Sequence, residues 1–156
     1  MNALICTRDV LRTTLDILRR GGARGEERVV LWLATASAPM PTAIVEVFEP
    51  EQVNAADRFH LPPSSMRSLM AHLRETRRRI AAQVHTHPKH AFHSDADAEW
   101  AIVRQDGAFS LVLPYFAAAT TPETFLRDVM IYEHTSAGDW AHRAVEASPA
   151  PLVIVP

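Results

Sequence analysis

The chain is short of cysteine, of net charge and of long apolar runs, and each shortage closes off a class of protein. Cys6 is the only cysteine among 156 residues, so no internal disulfide, CxxC redox pair or multi-cysteine zinc site can be built. A reducing compartment fits that usage, and the cytoplasm is the expected location. Sixteen Lys and Arg against eighteen Asp and Glu leave a formal charge of −2, with no basic surplus to draw the chain onto nucleic acid. No segment approaches the roughly 20 apolar residues of a membrane span, and the apolar run before Arg8 and Asp9 is too short for the core of a signal peptide. Also missing are an HExxH helix, a GxSxG elbow and a Walker A loop. The zinc deaminase pattern needs a PCxxC that one cysteine cannot supply. Barrel hydrolases that open on HxH need about 250 residues.

What remains is an ordinary globular composition, 47% apolar and 22% charged, without repeats or low-complexity tracts. Residues 1–156 read as a single domain, long enough to bury roughly 68–70% of its unfolded surface. Val10, Leu11, Leu15 and Leu18 repeat at helical spacing over Arg8 to Arg20, before Gly21-Gly22. VVLWLATA (Val29 to Ala36) is apolar in both alternating sets, as in a strand covered on two faces. TAIVEVFE (Thr42 to Glu49) reads as a second strand. The polar connection EPEQVNAADRFHLPP, a surface loop with one aromatic that could touch a partner, leads to a helix over about Ser65 to Arg78 with Met66, Leu69, Met70 and Leu73 in one stripe. Ile80 to His87 alternates, placing Ile80, Ala82 and Val84 on one face and Ala81, Gln83, His85 and His87 on the other. A helix over about Asp95 to Arg104 and strands at FSLVLPYF, DVMIYEH and LVIVP complete the order. The expected fold class is α/β, a mixed β-sheet flanked by helices.

The stretch AQVHTHPKHAFHSDADAEW (Ala82 to Trp100) holds four of the eight histidines. On a strand His85 and His87 point to the same side, about two rises of roughly 3.3 Å apart, a spacing that suits two imidazoles on one metal. The pair alone more often marks partly exposed surface histidines. Ser94 precedes Asp97 by three positions at a helix start, where the local reading is an N-cap with an acid in the first turn. A capped first turn also fixes where Asp97 points. Two imidazoles, one carboxylate and a water make a catalytic zinc site, and amide hydrolysis there needs a general base from elsewhere in the chain. Glu27, at the mouth of VVLWLA, is the candidate, with Glu26 its nearest rival.

HTHP (His85 to Pro88), five residues, then SDAD (Ser94 to Asp97) resembles the HxHP…SxxD signature of the JAB/MPN metalloproteases, the JAMM family. ERVVLWLA (Glu27 to Ala34) resembles that family's upstream glutamate-bearing strand, and FSLVLPYF the strand after the metal-site helix in small bacterial stand-alone members. Lys89 stands where a Gly is usual, and the family's frequent Gly pair in the upstream strand is absent. The resemblance implies a cytidine-deaminase-like fold with Zn2+ held by His85, His87 and Asp97. It implies that Glu27 is the general acid/base and that Ser94 donates a hydroxyl to the oxyanion. It also implies a peptidase or isopeptidase cutting after the C-terminus of a ubiquitin-like protein, with that protein or its conjugates as partner. Activating and conjugating enzymes of the same system, including antiphage systems, are further expected partners. Processing of a sulfur-carrier protein and an inactive binding scaffold are the alternatives.

His90 and His93 read as rim residues near substrate, not ligands. RETRRR (Arg74 to Arg79) reads as the solvated basic end of a helix. Cys6 lacks a histidine partner for nucleophilic work. Trp32, Trp100 and Trp140 read as packing residues.

Overall fold

A computed structural model describes residues 2–99 and 101–156. In chain order the elements are β1 (Leu4–Thr7), α1 (Arg8–Gly22), β2 (Val29–Thr35), β3 (Thr42–Ala43), β4 (Glu46–Phe48), β5 (Val53–Asn54), β6 (Phe59–His60), α2 (Pro63–Thr76), β7 (Arg78–Thr86), α3 (Asp95–Glu99), β8 (Phe109–Leu113), α4 (Phe125–Asp128), β9 (Met130–His134), β10 (Trp140–Arg143) and β11 (Leu152–Val155). Six strands form a mixed sheet in the order β10-β9-β8-β7-β2-β4, in which β7 and β8 run parallel and the other neighbours antiparallel. The expected mixed sheet between helices is what the chain builds.

Thr7 caps α1 by accepting a hydrogen bond from the Val10 N–H at 3.2 Å, while Asp9 in its first turn and Arg19 and Arg20 in its last complement the helix dipole. The stripe Leu11, Leu15 and Leu18 packs on the sheet face formed by Val30, Trp32, Val84 and Leu111. Each leucine so buried contributes about 1.5–3 kcal/mol. Trp32 reaches across to donate its indole N–H to Thr14 Oγ1 at 2.8 Å, which satisfies two polar groups the core would otherwise strand. On the other face Val29, Leu31 and Leu33 pack with Leu69 of α2. Strand β2 is therefore covered on both sides, as its unbroken apolar run requires.

Several expected elements differ. The apolar residues before Arg8 form β1, which pairs in parallel with β11 and β3 in a separate three-stranded sheet. TAIVEVFE splits because successive N–H groups find different partners: Ile44 donates to Ile5, and Val45 to Leu33. The chain crosses between the two sheets at that step. FSLVLPYF stops at Leu113, DVMIYEH starts only at Met130, and the helix from Asp95 ends at Glu99. Of RETRRR, Arg77 caps α2 in the left-handed region and Arg78 and Arg79 already belong to β7, where Arg78 pairs with Glu46. The expected alternation over Ile80 to Val84 also fails. Ala82 pairs with Trp32 but Ile80 with Leu33, so Ala81 is a bulge, and the extra residue turns Ile80 to the α2 side. Beyond the bulge Gln83 and His85 keep the face expected of them. Trp100, read as a packing residue, lies outside the described residues.

Candidate metal centre

His85 sits in the middle of the sheet, opposite Val29 of β2 on one side and Val112 of β8 on the other. His87 lies just past the strand's end, and backbone bonds hold it there. Its N–H donates to Leu113 at 2.9 Å and its carbonyl accepts from Phe116 at 2.8 Å, while the Lys89 carbonyl accepts from Tyr115 at 2.9 Å. Those last two donors belong to an unusual turn. Tyr115, Phe116 and Ala117 follow one another with φ of 51°, 54° and 57°, a left-handed conformation that costs a residue with a Cβ roughly 1–2 kcal/mol. Helix α1 braces the turn, since Arg19 donates to the Ala117 carbonyl at 3.1 Å.

Asp97 comes from α3. Ser94 Oγ accepts from the Asp97 N–H at 3.0 Å and Asp97 Oδ2 accepts from the Ser94 N–H at 2.8 Å, a reciprocal cap. The cap leaves the Ser94 hydroxyl proton free to donate. Asp97 Oδ2 stands 3.0 Å from His87 Nε2, and Oδ1 3.2 Å from His85 Nε2. The first contact is a hydrogen bond. The second has ion-pair distance without hydrogen-bond alignment, so both ring nitrogens of the wholly buried His85 lack a hydrogen-bond partner.

A buried imidazole with no hydrogen bond is costly unless something else uses its lone pair. One donor atom from each of His85, His87 and Asp97 lies within 4.8 Å of the others. A tetrahedral centre with bonds of about 2.0–2.2 Å has ligand-to-ligand edges of about 3.3–3.6 Å, which lie inside the 4.8 Å that bounds the three donor atoms, while Asp97 turns one oxygen to each ring, at 3.0 and 3.2 Å. Two nitrogens and one carboxylate oxygen also form a donor set suited to zinc and similar cations. The residues fit a metal.

Glu27 is 3% exposed. It lines a cavity of about 230 Å³ together with His87, Ser94, Asp57, Pro88 and Phe92, and a smaller one that includes Asp97. Burial pushes its carboxyl up to about 7; the His87 charge opposes the rise, and Asp97 and Asp57 add to it. For Asp97 burial acts upward too, but the close approach of the His85 ring, the hydrogen bond with His87 and the Ser94 backbone N–H win and hold it well below the carboxylate range. Burial lowers His87, yet its hydrogen bond and charge contact with Asp97 leave it raised. Burial takes His93 down to about 4, and its ring packs against Tyr132 and Trp140. His90 is exposed, with Tyr115 Oη 3.4 Å from its Nδ1.

His85, His87 and Asp97 thus meet, and Glu27 and Ser94 open onto one cavity beside them. Glu26 is half-buried outside it. The connection after Pro50 carries residues that the sequence reading missed. It folds into the hairpin β5–β6, sets Phe59 against His85 with ring centroids 5.4 Å apart, and brings Asp57 to both cavities. Its lone aromatic was the only signal.

A mixed sheet that sets one histidine on a central strand and a second just past its end against a carboxylate on the following helix defines a metallohydrolase scaffold. No protein-family model matches the chain. It is 31% identical over 114 residues, 70% of each chain, to a Sinorhizobium fredii protein named "Probable metalloprotease y4jG". In fold it is similar to protein DSY2949 from Desulfitobacterium hafniense, with a TM-score of 0.70 at 12% identity over 97% of this chain and 92% of that one. It also resembles AF2198, a JAB1/MPN domain protein from Archaeoglobus fulgidus, with a TM-score of 0.54 at 14% identity over 98% of both. The chain belongs to the JAB/MPN metalloprotease family. No helix among the described residues is long and apolar enough to cross a membrane.

Proposed function

We propose that the chain is a zinc-dependent peptidase that cuts the peptide or isopeptide bond after the C-terminus of a ubiquitin-like protein in the cytoplasm. The observation that carries the chemistry is the buried Glu27, which shares its cavity with His87 and Ser94 beside the His85–His87–Asp97 cluster. The substrate class rests on the family resemblance of HTHP and SDAD. Zinc held by His85, His87 and Asp97 would supply a Lewis acid that acidifies water and polarises the scissile carbonyl.

The chain's own groups do the rest. The Glu27 carboxylate takes a proton from the attacking water and delivers it to the departing amine, a shuttle favoured by a pKa near neutrality. The Ser94 hydroxyl donates to the oxygen on which negative charge develops. Asp97 stays ionised at all working pH and holds both imidazoles in place. Phe59 and Phe92 pack on the His85 and His87 rings and keep bulk water off them.

The test loads the protein with one equivalent of zinc and offers a ubiquitin-like protein that carries a reporter peptide on its C-terminus. Release of the reporter at that junction is expected, with loss of release in Glu27→Gln at unchanged zinc content. Stoichiometric zinc with no cleavage of the junction, alongside cleavage of unrelated peptides, would overturn the substrate assignment.

A further inference from the structure

Glu27 and Val29 turn their backbone N–H and C=O groups toward the edge of β2 that faces away from β7. Farther along that edge β4 supplies the partners, with Leu31 opposite Phe48 and Leu33 opposite Glu46. Antiparallel register steps the next pair to Val29 and Pro50. Pro50 has no N–H to give, and β4 has ended. Four backbone groups at the base-bearing end of β2 therefore need partners from elsewhere.

Residues 52–55 supply all four. Gln52 Oε1 accepts from the Val29 N–H at 2.8 Å, and Gln52 Nε2 donates to the Val29 carbonyl at 2.9 Å. One side-chain amide thus performs both halves of a strand pairing. Asn54 Nδ2 donates to the Glu27 carbonyl at 2.8 Å and to Gln52 Oε1 at 2.9 Å. The Glu27 N–H donates to the Ala55 carbonyl at 2.8 Å. Two residues beyond Ala55, Asp57 enters the walls of both cavities that hold the Glu27 side chain.

We propose that Gln52 and Asn54 are positioning residues for the Glu27 carboxylate, their side-chain amides standing in for the strand partner that Pro50 cannot provide. The inference rests on Glu27's role as proton carrier. Positioning matters at this point because a reacting group displaced by about 1 Å can cost about 100-fold in rate. The clamp also makes the cavity wall and the base one unit, since the segment that contributes Asp57 is the segment that holds Glu27.

The test uses the full chain with Gln52→Leu, and with Asn54→Ala as the milder variant. Amide exchange on the metal-free protein should quicken about tenfold or more at Val29 and Glu27 in Gln52→Leu, with Val30 and Trp32 unchanged. Unchanged exchange at Glu27 in both variants overturns the proposal. With zinc loaded, Gln52→Leu should lower kcat on the reporter fusion about 10- to 100-fold at constant KM and zinc content. Gln52→Glu, which keeps the acceptor and loses the donor, should fall between. A parental kcat together with quickened exchange also overturns it, because the clamp would then be structural only. Glu27→Gln, run beside these, isolates the underlying reading: if it keeps full turnover the base assignment fails, and the exchange data still judge the clamp.

Discussion

The two halves of the metal centre are built in opposite ways. His85 lies on, and His87 just past the end of, a strand that is buried from Ile80 to Thr86 and paired along both edges. Asp97 comes from a five-residue helix, capped by Ser94 just before it, on which every described neighbour of Asp97 is exposed. A helix that short has no stability of its own. It is held by the reciprocal Ser94–Asp97 cap and by the two histidines that the carboxylate reaches. The strand half is thus fixed by the core, and the helix half by the site itself. A bound cation ties the second to the first.

Removing one ligand from each half breaks that comparison most severely. His85→Ala and Asp97→Ala should both lose stoichiometric zinc, read by metal analysis after dialysis. They should part company in amide exchange of the metal-free proteins. His85→Ala opens a void beneath Phe59 and should quicken exchange along β7. Asp97→Ala should loosen residues 88–99 and leave β7 as it was. Equal spreading of both effects would show that the halves are not separately supported.

Glu27→Gln comes next. It should lower turnover about 100- to 10,000-fold while zinc stays bound. It should also stabilise the metal-free fold, for a reason that follows from linkage. An acid raised from 4.5 to about 7 holds its proton more tightly in the folded chain. Stability then falls as pH rises between those two values, and the full penalty stands above about 7. Glu27→Gln removes it, so urea unfolding should show a gain of about 1–3 kcal/mol at pH 8 and none at pH 4. Ser94→Ala should follow with a loss of about 100- to 1,000-fold in kcat, plus about 1 kcal/mol of stability from the lost cap. Ser94→Thr, which keeps a hydroxyl at the same place, should retain most of both.

The strand half was the legible half. The unbroken apolar run VVLWLA and the alternation of Gln83, His85 and His87 are the signals that placed β2, β7 and the shared face of the histidines. The mixed sheet followed from the order of apolar runs. The helix half came from motif spacing alone: Ser94 and Asp97 satisfy a cap rule that many loops satisfy, and only their meeting with His87 in three dimensions makes it a site. The clamp on Glu27 left no periodic trace, because Gln52 and Asn54 act through side-chain amides inside a polar connection. Ala81 escaped for a related reason. A bulge is decided by how β2 and β7 pair, and neither strand's own sequence records it.

The smallest expected effect bears on the His87 end of the strand half, where the core's support passes through strained backbone. A Cβ on Gly22 would stand 2.6 Å from Phe116 Cβ and 3.0 Å from its carbonyl oxygen, and neither atom is the free end of a flexible side chain. Gly22→Ala must therefore push on the left-handed turn, at a cost of about 1–3 kcal/mol. The turn's Phe116 N–H holds the His87 carbonyl, so zinc affinity should fall with stability. Gly25→Ala is the control. Its φ of 69° makes a Cβ unfavourable, but nothing lies within 4 Å, so it should lose about 1 kcal/mol and leave zinc affinity alone. If the two variants weaken zinc equally for equal loss of Tm, the turn is merely part of the general core; if only Gly22→Ala does so, strain stored beside Phe116 is what keeps His87 in register with His85.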